Sequence, residues 1–570
     1  MLSLRVRRVA RRLNALAVKI LGPATPAPEE IQLPQPACAA SVTVGHRSKS
    51  GSVDRFFLRR SFPRLLYPFL LLWITAWILL IRQQYYTPSS PTIIGCTSAP
   101  WDDWPPDTCG INGTSCQDDL IGLAGETFRC MGGCQHTTLG NERWVGGERV
   151  DGEPLIIGGG DVDGTYRADS WVCASAIHAK LISPLMGGCV SINPLPYPAG
   201  SSNFVSSSSN GLTSTGFNPS FPGAFTLSRV SPFGCLDLHF IMTGFNAACL
   251  LIFTLFLRPP PSLLFCVLLV MGYFHILLFS DPSSTPPSWE DVFAGLIPVL
   301  LVGYWIWNQA FKFTLRGFTK LPFDLAFWQG AGYWIGIESS TVLARLPISR
   351  LGYDSLDPAG IIALTCIIVI AVIVVAIQAW SFRRAGLVRY YLIRYLPLIP
   401  ILIILANIPN YTLRLHHYLL ALAAIPVLSL PNRVSLFWGA FMLGLWLDGV
   451  GRWGWDGILQ ETTSLLGDAN SGSYTPVFWD NVTTSTALGW SPITEELEAL
   501  NVTAYSLLVN DMQIYDNWTD SSISLNGLID EGVDNYFRLA YIESGSSMDY
   551  TDPVMRWANG SWSGMGDVDS

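Results

Sequence analysis

The residues of this chain best suited to chemistry are its cysteines, and eight of the twelve fall in one segment: Cys96, Cys109, Cys116, Cys130, Cys134, Cys173, Cys189 and Cys235. An even set confined to one stretch reads as a disulfide framework in an oxidising compartment. Eight cysteines allow on the order of a hundred pairings, so spacing alone gives no connectivity. Zinc is the competing reading for Cys130 and Cys134, but no second close pair accompanies them. Of the other four, Cys38 lies in a basic N-terminal segment, and Cys249, Cys266 and Cys366 sit inside apolar runs.

A second group consists of ionisable residues embedded in those apolar runs: His275, Asp324, Glu338, His416, His417 and Asp448. Such groups are expensive in hydrocarbon, so each is a candidate for a substrate path. The simpler reading, preferred here, places most of them at a membrane boundary beside an aromatic belt of Trp446, Trp453 and Trp455. Asp324 and Glu338 are separated by about 21 Å along a helix, so they cannot pair on the same one. Asp324 fits a boundary position, leaving Glu338 as the most suggestive. The acid pairs Asp102-Asp103 and Asp118-Asp119 would suit a membrane glycosyltransferase, although acids in a Pro-rich loop are usually solvated surface.

The elements that must carry these residues follow from composition. Of 570 residues, 49% are hydrophobic and only 14% charged, against about 25% charged in a soluble domain. Nine apolar runs approach the roughly 20 residues that a spanning helix needs: 65–81, 240–257, 263–279, 292–307, 323–343, 360–380, 391–408, 413–430 and 434–450. Residues 1–64 hold twelve Lys/Arg against three acids, whereas residues 451–570 hold three Arg against eighteen acids. Because Lys and Arg mark cytosolic ends, the N-terminus is expected in the cytosol and the acidic C-terminus outside. Lys312, Arg316, Lys320, Arg383, Arg384, Arg389 and Arg394 then fall inside, and Asp281, Glu290 and Asp291 outside. The runs 323–343 and 413–430 are the weakest; without them seven spans remain and both ends keep their sides. Acceptor sequons at Asn112, Asn481, Asn501, Asn517 and Asn559 all fall in exterior segments. Asn410 begins a further one, too close to the membrane for use. Residues 2–20 form an acid-poor amphipathic pattern, read as a membrane-surface helix in preference to a mitochondrial presequence. The first span is expected to act as a signal anchor. No basic folded face suggests nucleic acid.

Within the cysteine-rich segment, Gly164-Thr-Tyr166-Arg-Ala-Asp169-Ser170-Trp-Val-Cys173-Ala-Ser-Ala176-Ile177-His178-Ala179-Lys resembles the signature of the LCCL domain. The likeness extends to Cys116 and Cys130-Met-Gly-Gly-Cys134 upstream, and to Gly187-Gly188-Cys189-Val190 and Ala224-Phe225-Thr226-Leu227 downstream. It covers residues 115–230. The order of anchor, domain and many spans is similar to fungal LCCL-domain membrane proteins. The resemblance implies an α+β fold with a central helix over 170–181, and pairs Cys116–Cys130 and Cys134–Cys173. Met131 stands where the family often has Pro, and Cys96, Cys109, Cys189 and Cys235 are extra; these are assigned as Cys96–Cys109 and Cys189–Cys235. The Ser/Gly-rich stretch 200–220 reads as a surface loop. Asp169 or Ser170 is expected to cap the helix. A catalytic set of Ser170, His178 and Asp169 is disfavoured, because triads assemble from distant segments.

The expected organisation is therefore a basic cytosolic segment 1–64, a signal-anchor span 65–81, an exterior cysteine-rich region 82–238, an eight-span helical domain 239–450 and an exterior acidic domain 451–570. The last reads as a β-sandwich with Phe537, Leu539 and Tyr541 turned inward. The favoured function is a membrane-anchored recognition protein whose LCCL domain binds a glycan, lipid or protein. A transporter or lipid-handling protein is the alternative, and a glycosyltransferase the third reading. No cofactor, resident metal or catalytic residue is expected, and the lipid bilayer is the expected partner of such a chain.

Overall fold

The structure is a computed structural model. It describes residues 14–15, 17–22, 50–87, 91–101, 109–195, 202–230, 234–280, 282, 285–342, 358–462, 472–479 and 483–565. Cys38, Asp102, Asp103, Asn481 and most of the amphipathic pattern 2–20 lie outside these residues. The chain forms two compact units, Met1–Arg82 with Ile241–Glu461, and Gln83–Phe240 with Thr462–Ser570.

Among the described residues, seven helices are long and apolar enough to cross a membrane. They are Pro63–Tyr85, His239–Phe256, Pro261–Ser280, Trp289–Phe318, Gly360–Ala385, Val388–Ala406 and Arg433–Arg452. The two weakest runs are the ones that differ. Residues Tyr411–Leu413 leave the helix to pair with Leu459–Glu461, so the apolar helix that follows is only His417–Leu428. The run 323–343 is broken into Pro322–Asp324, a π-helical turn Leu325–Gln329, Gly330–Ile337 and Ser339–Val342. Its glycines explain its burial. A Cβ on Gly332 would meet the Phe437 carbonyl, and one on Gly336 the Phe441 carbonyl. Small residues thus let this helix lie against the backbone of Arg433–Arg452, where Gly444 faces it.

In the second unit, a five-stranded sheet runs in the order Thr92–Ile94, Thr127–Cys130, Gly188–Leu195, Ala224–Val230, Tyr166–Arg167. Its first pair is parallel and the others antiparallel. Against it lies a helix, Val172–His178, in which every residue is buried. That helix is shorter than the expected 170–181, and its N-cap is Trp171 with no side-chain cap bond, so neither Asp169 nor Ser170 caps it.

Four disulfides clamp this region, and three differ from the pairs expected. The bonds are Cys96–Cys134, Cys109–Cys116, Cys130–Cys173 and Cys189–Cys235, the last as assigned from sequence. Strand register supplies the reason. Ile94 sits beside Cys130 in the parallel pair, so the chain carries Cys96 past Cys130 towards Cys134. Cys130 ends its strand facing the buried helix that begins at Val172, and Cys173 meets it there. Cys109 and Cys116 close a local turn in which the Ser115 amide donates to the Cys109 carbonyl. With Cys130 and Cys134 in separate disulfides, neither offers a thiolate to zinc.

The Ser/Gly-rich stretch is more packed than its composition implies. Ser208–Ser209 pairs with Leu212–Thr213, Phe204 bridges Phe217, and Phe204, Leu212, Phe217 and Phe221 are all buried. A few aromatic anchors outweigh the polar average.

The C-terminal part of this unit is a six-stranded antiparallel sheet with Met512–Trp518, Val502–Val509, Asn535–Glu543, Val554–Arg556 and Trp562–Ser563 in order, and Ser546–Ser547 hydrogen-bonded to Asn535–Glu543. A two-stranded ribbon, Ala487–Gly489 with Ser522–Ser524, accompanies it. Phe537, Leu539 and Tyr541 enter a core with Trp490, Tyr505 and Leu507, as the alternation predicts. Met512 belongs instead to the core of the disulfide-bonded domain, with Ile514 and Tyr536 packed against it, so the two parts share apolar surface.

Candidate functional site

The signature residues converge around the buried helix. Tyr166, on the edge strand Tyr166–Arg167, stacks on Phe225 at 5.8 Å, and its hydroxyl lies 2.9 Å from His178 Nδ1. His178 Nε2 lies 3.2 Å from both the Ser207 hydroxyl and the Ser207 carbonyl. Burial holds the imidazole pKa below its usual range, and it raises the Tyr166 phenol. Ser170 points elsewhere: its Oγ accepts from the Ile157 amide at 3.0 Å. Ser170, His178 and Asp169 are therefore not assembled as a catalytic set.

Asp169 anchors an ionic cluster. Its Oδ1 accepts from Arg167 Nε at 2.8 Å, and its Oδ2 from Arg167 Nη2 at 2.7 Å and Arg143 Nη2 at 3.1 Å. Arg167 is fully buried, lies 4.5 Å from the ring centroids of both Phe217 and Phe221, and donates Nη1 to Asp511 at 2.7 Å. Asp511 also accepts from the Gly146 amide. Burial alone would weaken both charges. The neighbouring carboxylates Asp169 and Asp511 nevertheless hold Arg167 above its ordinary pKa, and Arg167 and Arg143 hold Asp169 below its own. The signature arginine is thus the joint between the disulfide-bonded domain and the C-terminal sheet. Nearby, Asp530 accepts from the Ser220 amide and hydroxyl, and Tyr536 stacks on Phe217 at 6.1 Å.

The remaining signature positions are steric. Ala176 is wholly buried, Gly187 adopts φ 59° where a Cβ would strike the Cys130 carbonyl, and a Cβ on Gly188 would strike Ile182. A further clamp joins the two chain ends of the domain. Arg129 donates to the Gln84 carbonyl and side chain at 2.7 Å each and to the Leu236 carbonyl, while Asp237 accepts from Gln84 and from the Gly132 amide. The signature therefore builds scaffold, and a pair of bonded loops lies at its outer edge. There the loop around Val162, which is wholly exposed, is bonded to the next loop through the Gly160 amide and the Val205 carbonyl, and Val205 is exposed as well.

In the first unit, His275 and Glu338 meet, with Nε2 and Oε1 3.1 Å apart. Thr243 donates to Glu338 at 2.9 Å, Asn246 lies 3.2 Å from His275 Nδ1, and Trp73 donates to Asn246 at 3.0 Å. Asp448 accepts from Ser339 and Ser340. Asp324 binds Arg433 at 2.9 Å rather than any of these. His416 stacks on Tyr418 and His417 packs edge-on to Trp453, apart from the His275–Glu338 pair. Asn112, Asn501, Asn517 and Asn559 are all exposed, as are Asp118 and Asp119, the latter two on the Thr114–Gly122 helix. No group of three or more His, Cys, Asp or Glu able to hold a metal occurs among the described residues.

Arg167, Asp511, Thr243, Asn246 and Trp73 carry no role in the sequence reading. For Asn246, a lone amide in an apolar run was a usable signal. For Arg167 and Asp511, separated by hundreds of residues, none existed.

Residues 115–222 match the family model of the LCCL domain, so the chain contains one. An uncharacterized protein of Saccharomyces cerevisiae is 28% identical to this chain over 572 aligned positions, spanning 89% of this chain and 80% of that protein. This is consistent with a fungal-type LCCL protein. No solved structure matches the chain significantly.

Proposed function

We propose that this chain is a membrane-anchored recognition protein whose LCCL domain, together with the acidic C-terminal sheet, binds a glycan, lipid or protein on the non-cytosolic side. The observation that carries the reading is the LCCL domain itself, a ligand-binding module, folded around four disulfides. Seven long apolar helices and those disulfides suit a membrane or secreted protein. The charge asymmetry of the chain supports an interior N-terminus, and exposed sequons support an exterior, glycosylated unit. Because the signature is internal, recognition falls to the loops bearing Val162 and Val205.

The test uses the full-length protein in nanodiscs. An isolated 90–236 fragment would strip Asp511 from buried Arg167. On arrays of glycans, lipids and cell-wall extracts, retention that Val162→Asp weakens supports the reading; no retention on any surface overturns it. Protease protection that places the C-terminus in the cytosol would overturn the orientation separately. A second reading, transport or lipid handling, draws support from the His275–Glu338 pair. It expects Glu338→Gln to abolish movement of a lipid or solute while the protein still folds.

A further inference from the structure

A cavity of about 430 Å³ lies in the first unit between the His239–Phe256 helix and the segment Leu325–Ile337, with Leu268 contributing to its wall. It is elongated. Along one wall it runs from Thr243 to Thr254, about 16 Å at helical rise. That is roughly half of a ~30 Å hydrocarbon core, the depth of one leaflet. Leu251 and Phe327 line it and are also exposed, so it opens on an apolar face of the helices. One end is polar: Thr243 belongs to both the cavity wall and the Glu338–His275–Asn246 network.

The telling residue is Gln329. It lines the cavity, is 2% exposed, and neither its amide nitrogen nor its oxygen has a hydrogen-bond partner among the described residues. Buried amides are nearly always bonded, and an unpaired one destabilises the fold unless something completes it. Gln329 also ends the π-helical turn Leu325–Gln329, a distortion that recurs at functional sites.

We infer that this groove binds a single lipid chain laterally from the bilayer, and that Gln329 selects a lipid bearing a hydroxyl or secondary amide. Such a group both donates and accepts, as the Gln329 amide requires. An ester-only glycerolipid offers an acceptor alone. A ceramide, whose amide and hydroxyls lie together and both donate and accept, is the lipid class chosen here, with those groups at Gln329. The inference rests on the membrane reading above and goes beyond it.

The experiment places the full-length protein in phosphatidylcholine nanodiscs doped with a photoactivatable ceramide or, separately, a photoactivatable phosphatidylcholine, and maps the cross-linked peptides. Ceramide is expected to label peptides containing residues 243–254 and 326–334 several-fold more than phosphatidylcholine. Ala331→Phe, and independently Ala247→Leu on the opposite wall, should suppress labelling by both probes. Gln329→Leu should keep chain labelling but erase the preference for ceramide. Monodisperse elution of each variant confirms folding; should one wall variant misfold, the other decides. Labelling spread over the exposed faces of other helices, unchanged by both wall variants, overturns the groove. A ceramide preference that survives Gln329→Leu overturns the selection. Carbonate extraction separates the two levels. Release of the protein from membranes refutes the membrane reading, whereas a retained protein with no groove labelling refutes this inference alone.

Discussion

Both halves of this molecule bury polar side chains, but they finish them differently. Around the LCCL signature, Arg167 spends three guanidinium nitrogens on Asp169 and Asp511, and Tyr166, His178 and Ser170 each have a partner, the buried Ser175 hydroxyl being the exception among the described residues. Among the apolar helices, the His275–Glu338 network is partnered too, yet Gln329 keeps both amide atoms unbonded and Asp448 keeps Oδ1 unbonded among the described residues. A buried polar network that is complete rigidifies; one that is incomplete has capacity left for something else. The contrast is one of degree: Ser175 and Asp448 each leave one atom unbonded, whereas Gln329 alone among the described residues leaves two, which marks it as the candidate site.

The largest test breaks the completed network. Asp169→Asn leaves fully buried Arg167 with half its compensation, and removing one partner of a buried ion pair typically costs about 3–5 kcal/mol. Chemical denaturation of the full-length protein in detergent should show that loss in the disulfide-bonded unit, followed by intrinsic Trp fluorescence. A change under about 1 kcal/mol would mean that water reaches Arg167 and the cluster is not closed. The next effect is covalent. Replacing Cys130 and Cys173 together by Ser removes a bond across 43 residues, for which about 2–5 kcal/mol is expected. Peptide mapping under non-reducing conditions checks the pairing itself, and a Cys116–Cys130 peptide would restore the connectivity implied by the family resemblance. Smaller and opposite in sign is Gln329→Leu. Removing an unpaired amide from an apolar wall should leave thermal stability unchanged or raise it by about 1 kcal/mol. A loss comparable with that of Asp169→Asn would erase the contrast.

How legible was this in the sequence? The apolar runs gave the long helices because hydrophobicity over about 20 residues is a local quantity. The two runs outside those seven long helices, 323–343 and 413–430, carried their own warnings in Asp324, Glu338 and the Arg414-Leu415-His416-His417 start. The LCCL stretch was legible as an ordered motif, but its pairing was not. Connectivity depends on the parallel register of Ile94 beside Cys130, which no spacing encodes. The role of Arg167 was hidden for a related reason. Its partner Asp511 lies in another part of the chain, and an arginine inside a motif looks like any surface arginine until its burial is known. Glu338 was singled out as an isolated acid, whereas its pairing with His275 required knowing which helices adjoin.

The smallest effect concerns pH and tests whether the completed network is closed at its rim. His178 is held below its ordinary pKa by burial, although the Ser207 carbonyl partly offsets this. A group whose folded pKa is depressed contributes stability that is fully present above its unfolded value, about 6.5 for histidine, and lost as pH falls through the folded value. Asp169 obeys the same sign, but its window opens only below about 4. Of these two groups, the histidine is the one that should act between pH 7.5 and 5.5. Protonation makes both ring nitrogens donors, which suits Ser207 at Nε2 but forces the Tyr166 hydroxyl to accept at Nδ1. Hydrogen exchange at the 203–217 loop, corrected for the intrinsic pH dependence, is expected to rise modestly over that interval while the Arg167 cluster stays protected. His178→Gln should flatten the response. If the loop and the cluster loosen together, the recognition loops and the scaffold beneath them are one cooperative unit, and a ligand on Val162 and Val205 would be sensed through to the C-terminal sheet.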